Sequence, residues 1–258
     1  MVTDALKHPL PQEMQPHTYR IMYQVEGSHW WFLGRRRIIS CFLKQIVRDT
    51  GVQNMRMLDV GCGTGANLEL LLQFGQAEGV DVADEALAFC SSRGLQNVKK
   101  GRAEDLPFDD RSFDVITGLD VVEHLDDDLL GLREMYRVLK PGGSALLFVP
   151  AFMFLWGVQD DISHHRRRYT LAEIRSAVTR AGFRVERSTY INISFFFPIL
   201  AGRLLMRLTG FRPASENNLT LSFMNGVLGS IFGAEARLLQ YIDFPFGVSA
   251  ICIARRPD

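Results

Sequence analysis

The chain has 258 residues, 47% hydrophobic and 22% charged, enough to bury one core, so disorder is not the default. Its 29 basic and 29 acidic residues balance, so no bulk field draws nucleic acid, although arginines cluster at 35–37 and 166–168. Cys41, Cys62, Cys90 and Cys252 are scattered without a CxxC pair and read as reduced apolar fillers rather than a zinc or redox site.

Residues 1–16 carry Lys7, His8 and prolines but no apolar run, which is unlike a secretory signal and gives the expectation of a cytoplasmic protein. Residues 1–54 form a helical cap in which 19–48 predict one or two helices, with Trp30, Trp31 and Phe32 supplying a large apolar face. From residue 55 short apolar runs alternate with helical stretches. Strands are predicted at 56–60, 77–82, 98–101, 113–119 and 144–150, and helices at 65–73, 83–92 and 127–139. The last of these helices is stopped by Pro141-Gly142-Gly143, where proline cannot continue a helix and glycine supplies the turn.

A loop at 152–169, rich in aromatic residues, His and Arg, follows. A helix at 171–181 comes next, with Thr170 and Glu173 spaced as a reciprocal cap, and a strand at 183–190 closes the core, 55–191. Residues 192–242 read as an apolar helical insertion, and 243–258 hold the last strand, at 248–255. The most apolar stretch, 191–208, contains Pro198 and Arg203 and is too short to span a bilayer. It reads as a buried core helix, a helix lying on a membrane surface, or the wall of an apolar pocket. The expected fold is a single α/β domain, a Rossmann-like doubly wound sheet of seven mostly parallel strands, with N-terminal helices and a helical insertion before the last strand.

The strongest motif is Asp59-Val60-Gly61-Cys62-Gly63-Thr64-Gly65, an apolar strand entering a glycine turn and then a helix. Glycine is needed there because the backbone must turn tightly and approach a ligand. The spacing Gly-x-Gly-x-Gly differs from the dinucleotide fingerprint, whose third glycine falls one residue later. Asp59 can brace the turn's amides or meet a ligand's ammonium group. Asp81, followed by Val82, ends the second strand about twenty residues on, where a carboxylate accepts both hydroxyls of a ribose.

These residues resemble the class I S-adenosylmethionine-dependent methyltransferases, nearest to the methyltransferase type 11-like enzymes of ubiquinone and menaquinone biosynthesis. Asp59 to Gly65 is similar to their first motif and Asp81 to their ribose acid. The run Arg102-Ala103-Glu104-Asp105-Leu106-Pro107-Phe108 is similar to the segment beside adenine, and Phe113-Asp114-Val115-Ile116 to their fourth strand. The resemblance implies S-adenosyl-L-methionine held by Asp59, Gly61, Cys62, Gly63, Gly65, Asp81, Val82, Arg102, Ala103, Glu104 and Leu119. Arg102 departs from the acid or amide common at its position.

Methyl transfer from a sulfonium is a one-step displacement that demands alignment and at times a proton acceptor. By the same resemblance Asp120, Glu123 and His124 stand where ubiquinone O-methyltransferases hold metal ligands, and could carry Mg2+. The alternative is that the Glu-His pair only braces the helix and the glycine loop. His124, His164 and His165 are candidate bases, the last two beside Arg166, Arg167, Arg168 and Tyr169 in a cationic loop that could clamp an anion or be a solvated turn. Trp31, Arg35, Arg168 and Tyr169 are candidate substrate contacts, while Trp30 and Trp31 could equally be a packing face. The implied substrate is a small molecule, amphipathic or lipid-linked, methylated on oxygen, or else on carbon or nitrogen. Peripheral membrane contact fits the apolar insertion, and nucleic acid is not expected. A nicotinamide-dependent oxidoreductase and a non-catalytic binding module are the rivals.

Overall fold

The computed structural model describes residue 14 and residues 16–211 and 224–258. The expectation about a leader at 1–16 thus falls almost wholly outside the described residues, as does the 212–223 part of the insertion. The N-terminal region makes two helices, α1 (Pro16–Val25) and α2 (Trp30–Thr50). They break at Gly27-Ser28-His29, where the His29 ring accepts a hydrogen bond from the Trp31 amide and starts α2.

Seven strands follow: β1 (Met55–Val60), β2 (Gly75–Asp81), β3 (Val98–Lys100), β4 (Phe113–Leu119), β5 (Leu139–Pro150), β6 (Arg184–Ile191) and β7 (Ser249–Arg255). Their order is β3-β2-β1-β4-β5-β7-β6, and only β7 runs antiparallel to its neighbours. Strands covered on both faces need apolar residues throughout rather than alternation, and β1, β4 and the second half of β5 are almost continuously buried. The helices α3 (Ala66–Leu71), α4 (Asp84–Ser92), α5 (Asp128–Val138) and α7 (Leu171–Arg180) supply the crossovers. Thr170 and Glu173 exchange the two hydrogen bonds of the expected cap at the start of α7. The chain turns to opposite sides of the sheet after β1 and β4, so a crevice opens at their carboxyl ends.

Three elements depart from expectation. β5 starts at Leu139, before the Pro-Gly-Gly run, which is absorbed as an irregularity between the pairs Phe113–Leu139 and Val115–Ser144. A short helix α6 (Val158–Ile162) stands inside the predicted loop, started by Asp160 accepting from the Gly157 amide. The apolar stretch 191–208 is not a buried core helix: α8 (Phe196–Thr209) buries only Phe196 and Arg203 and leaves Phe197, Leu204, Leu205 and Leu208 exposed.

The second insertion helix, α9 (Asn225–Leu238), lies along α2 in parallel. Close approach depends on glycine. A Cβ at Gly34 would stand 2.4 Å from the Phe232 ring, and Gly229 sits against the Trp30 backbone. No helix among the described residues is long and apolar enough to cross a membrane.

Candidate functional site

The glycine turn emerges from β1 at the crevice. Gly61 has φ +66°, and a Cβ there would lie 2.4 Å from Val121 Cγ2, so only glycine fits. The Gly61 and Cys62 amides both donate to the Val80 carbonyl, tying the turn to β2. Asp81 completes the fastening: Oδ2 accepts from the Gly63 amide at 2.8 Å and Oδ1 from the Ala83 amide at 3.0 Å. The expected ribose acid therefore also fixes the loop. Gly65, φ +88°, starts α3 behind the turn and does not face the crevice.

The crevice encloses a cavity of about 670 Å³, within the range of small-molecule sites. Of the residues expected to meet a cofactor, Gly61, Cys62, Gly63, Asp81, Val82, Ala103 and Leu119 line it. Arg102 and Glu104 do not; they face each other at 3.7 Å beside the wall, leaving Ala103 as that segment's contribution. Asp59 also stands behind the wall, and no hydrogen bond joins its carboxylate to the turn's amides. Its Oδ1 instead accepts from Thr117 Oγ1 at 2.6 Å, and Oδ2 has no hydrogen-bond partner. Burial pushes this carboxyl up to about 7, against the Thr117 hydrogen bond.

Sequence reasoning missed the far wall of this end. α1 lies over the glycine turn and contributes Thr18, Tyr19 and Met22, and Glu26 follows just after its end. Buried Glu26 accepts from Thr64 Oγ1 at 2.6 Å and pairs with Arg93, whose Nε donates to the Thr64 carbonyl. Tyr23 stacks on Phe89 of α4 at 4.6 Å. No local pattern announces which loop a preceding helix will cover.

At the other end the wall is charged. Arg35 of α2 is sandwiched between Trp31 and Phe148 and pairs with Asp120 at 2.8 Å. Asp120 follows β4 in the left-handed region (φ +61°), which turns its side chain toward α2. That pairing engages Oδ2 of Asp120, the first residue of the expected metal set. The donors that meet are Glu123, His124 and His165, whose atoms lie within 4.8 Å of one another.

Glu123 is fully buried with neither oxygen hydrogen-bonded. Burial, followed by neighbouring Asp120, raises its carboxyl well above the usual range. His124 is pushed down to about 3 by burial and by His165, so it stays neutral and is a weak base. One carboxylate and two imidazoles do not suit Mg2+, which demands an octahedron of oxygens.

His165 faces the cavity, with Nδ1 2.8 Å from Asp160 Oδ1 and Nε2 3.9 Å from Glu123. Asp160 is fully buried and also accepts from Arg168 Nε at 2.8 Å and Nη2 at 3.1 Å. Burial alone would raise the Asp160 carboxyl, but the His165 hydrogen bond and the Arg168 charge hold it well below the usual carboxylate range. Arg203 of α8 reaches the same carboxylate, Nη1 3.8 Å from Oδ2. Its signal in the sequence was an arginine inside an apolar run. Two expected residues stand elsewhere. His164 (φ +55°) is outside the wall, and Tyr169 donates to Asp128 of α5 at 2.8 Å, anchoring the loop rather than facing the cavity. Arg168 lines the cavity, yet its guanidinium is already spent on Asp160 and the Ala151 carbonyl.

Residues 58–147 match the family model for a methyltransferase domain. Demethylmenaquinone methyltransferase of Staphylococcus aureus (strain MRSA252) is 38% identical over 109 residues, 39% of this chain and 45% of that protein. A probable S-adenosylmethionine-dependent methyltransferase of Mycolicibacterium smegmatis is 31% identical over 134 residues, 50% of this chain and 52% of that protein. The chain thus spans about half the length of the curated relatives it matches. Among solved structures, a putative sarcosine dimethylglycine methyltransferase from Galdieria sulphuraria gives a TM-score of 0.57 at 21% identity, covering 85% of this chain and 86% of that one. A putative methyltransferase solved in complex with the Haloferax volcanii Trm112 activator gives 0.58 at 18% identity, covering 94% and 95%. At these identities the likeness shows the fold alone.

Proposed function

We propose that the protein, residues 58–147 of which match the family model for a methyltransferase domain, moves the methyl group of S-adenosylmethionine to a hydroxyl oxygen of a small, partly apolar molecule. The observation that carries this reading is one cavity with two chemically distinct ends, the Asp81-braced glycine turn at one and the His165–Asp160 pair at the other. The turn's backbone can approach the cofactor closely, while Asp81 keeps lone pairs for the ribose hydroxyls. Val82, Ala103 and Leu119 offer apolar contact around the adenosine.

In the displacement the acceptor oxygen forms a bond to the methyl carbon as the carbon–sulfur bond breaks and its pair leaves on sulfur, giving S-adenosylhomocysteine. The acceptor's proton goes to His165 Nε2. Asp160 holds the opposite nitrogen, which fixes the ring and stabilises the imidazolium that forms. Arg35 and Trp31 border the path between the two ends. No step runs through Mg2+, because the donor set that meets is rich in nitrogen.

An apolar acceptor is supported by α8, whose Pro198, Ile199 and Met206 line the cavity, and by likeness to a protein named demethylmenaquinone methyltransferase. A nicotinamide-dependent oxidoreductase is disfavoured by the spacing of the third glycine.

Calorimetric titration of S-adenosylhomocysteine tests the reading. Micromolar binding to wild type that weakens at least tenfold in Asp81→Ala, about 1.4 kcal/mol, is expected. No binding to folded wild-type protein would overturn it.

A further inference from the structure

A second concavity, a groove of about 600 Å³, lies between α2, α3 and α9 and backs onto the cavity through Arg36 and Ala66, which line both. Its shape follows from how α9 runs along α2. Gly229 sits on Trp30, Phe232 on Gly34 and Arg37 on Gly233, and Cys41 donates to the Ala236 carbonyl at 3.3 Å. One turn further on stand Lys44 and Gln240, at the groove.

Four cations line this groove: Arg36, Arg37 and Lys44 from α2, and Arg237 from the last turn of α9. Arg36 and Arg37 precede Lys44 by two turns, which puts the three on one side of α2. The single acid of the lining, Glu69, is already paired with Arg93 at 3.1 Å. Arg36 donates to the Glu26 carbonyl and Arg37 Nη1 to the Gly229 carbonyl at 3.3 Å, contacts that neutralise neither charge. Lys44 and Arg237 are exposed and have no carboxylate partner among the described residues. Burial lowers the Arg36 guanidinium below its ordinary value against the pull of Glu26, and Arg35 and Arg93 add like charge. A concavity lined by one sign of charge concentrates the field and draws in the opposite ion.

We propose that this groove binds a small soluble molecule carrying two or three linked phosphates. Arginine offers planar paired donors that match phosphate oxygens, and lysine a compact point charge beside them. Linked phosphates set several charges within one short molecule, as cations gathered from two helices require; a single phosphate engages only part of the set. A concavity of this volume suits a small molecule, whereas a protein partner needs on the order of 1,000 Å² of contact. No aromatic ring lines the groove, so it reads the phosphates and offers no stacking surface to an attached base. The site is distinct from both ends of the cavity and does not rest on the methyl-transfer reading.

Calorimetric titration of inorganic tripolyphosphate, and separately of inorganic phosphate, tests the site on three full-length proteins. These are wild type, Lys44→Glu/Arg237→Glu, and Arg175→Glu/Arg180→Glu, which makes the same change of net charge at exposed positions of α7. Circular dichroism melts establish that each is folded, and Lys44→Gln/Arg237→Gln replaces the groove variant if charge reversal disturbs folding. Wild type should bind one tripolyphosphate with micromolar affinity, at least tenfold more tightly than phosphate. The groove variant should lose tenfold or more, while the α7 variant stays within threefold of wild type. Absence of tripolyphosphate binding to wild type, or unchanged binding in the groove variant, would overturn the proposal. Equal losses in the two variants would do the same, since they mark attraction to net charge alone. So would retention of wild type on vesicles holding phosphatidylinositol bisphosphate without binding of free tripolyphosphate, which assigns the groove to a lipid headgroup.

Discussion

Asp160→Asn removes one charge from a fully buried network while nearly preserving its volume. Oδ1 accepts from His165 Nδ1 and Arg168 Nε, and Oδ2 from Arg168 Nη2 and the Gly157 amide, so either placement of the new NH2 group sets a donor against two donors. Arg168 loses its charge partner in a buried site, a one-sided removal that costs about 3–5 kcal/mol. At roughly 2–4 °C per kcal/mol for a chain near this size, the melting temperature should fall by roughly 6–20 °C.

The pH dependence changes as well. The folded-state pKa of Asp160 is lowered, so its stabilisation is complete above about pH 4, the unfolded value, and is lost as pH falls below that. Thermal melts monitored by circular dichroism from pH 3 to 8 read both effects, with exposed Asp126→Asn, the partner of Arg166, as control. The variant should melt lower at neutral pH, and its acid limb should be shallower than that of wild type. A loss no larger than the control's, with an unchanged acid limb, would refute the network.

Gly61→Ala forces a side chain into the left-handed region and against Val121; it should weaken S-adenosylhomocysteine binding at least tenfold, whereas Gly27→Ala, with nothing within 4 Å, should leave calorimetry unchanged. Gly34→Ala should cost about 1–3 kcal/mol in denaturant titrations by driving α9 off α2, since the new methyl meets Phe232 near its backbone. Asp59 keeps its proton in the folded protein between about pH 4 and its raised value of about 7, so its contribution to stability falls as pH rises through that window. Asp59→Asn should therefore gain on wild type in melting temperature from pH 5 to pH 8. His165→Ala should slow methyl transfer at least a hundredfold, about the share a positioned general base supplies, read with tritiated S-adenosylmethionine, while leaving S-adenosylhomocysteine affinity within twofold.

The sheet was legible because its information is local. Buried parallel strands are continuous apolar runs, and Gly61, Gly63 and Asp81 announce their turn by type and spacing. The acceptor end was legible only in outline. His165 was among the candidates, but its partnership with Asp160 depends on α6, a helix too short to show any periodicity. Asp120 does stand beside Glu123, but a left-handed backbone that no neighbouring residue signals also brings it to Arg35, a pairing the sequence did not announce. α8 failed as a core helix for a different reason: apolar sequence reports what a surface prefers, not which surface it finds. Arg203 was the clue, since a buried cation in such a run needs a carboxylate nearby.

The position of the insertion has a further consequence. β6 and β7 are adjacent antiparallel strands at the sheet's edge, a pair that a turn of two residues can join, yet residues 192–248 separate them. Loop closure grows only with the logarithm of length, about 0.6 kcal/mol per doubling, so the sheet hardly senses how long that excursion is. Sequence between those two strands can be lengthened, trimmed or exchanged over evolutionary time while the glycine turn and Asp81, on the far strands, stay untouched. The fold thus keeps the glycine-turn half of the cavity fixed and lets the half lined by the insertion drift, a division of labour by which one scaffold can come to hold new ligands.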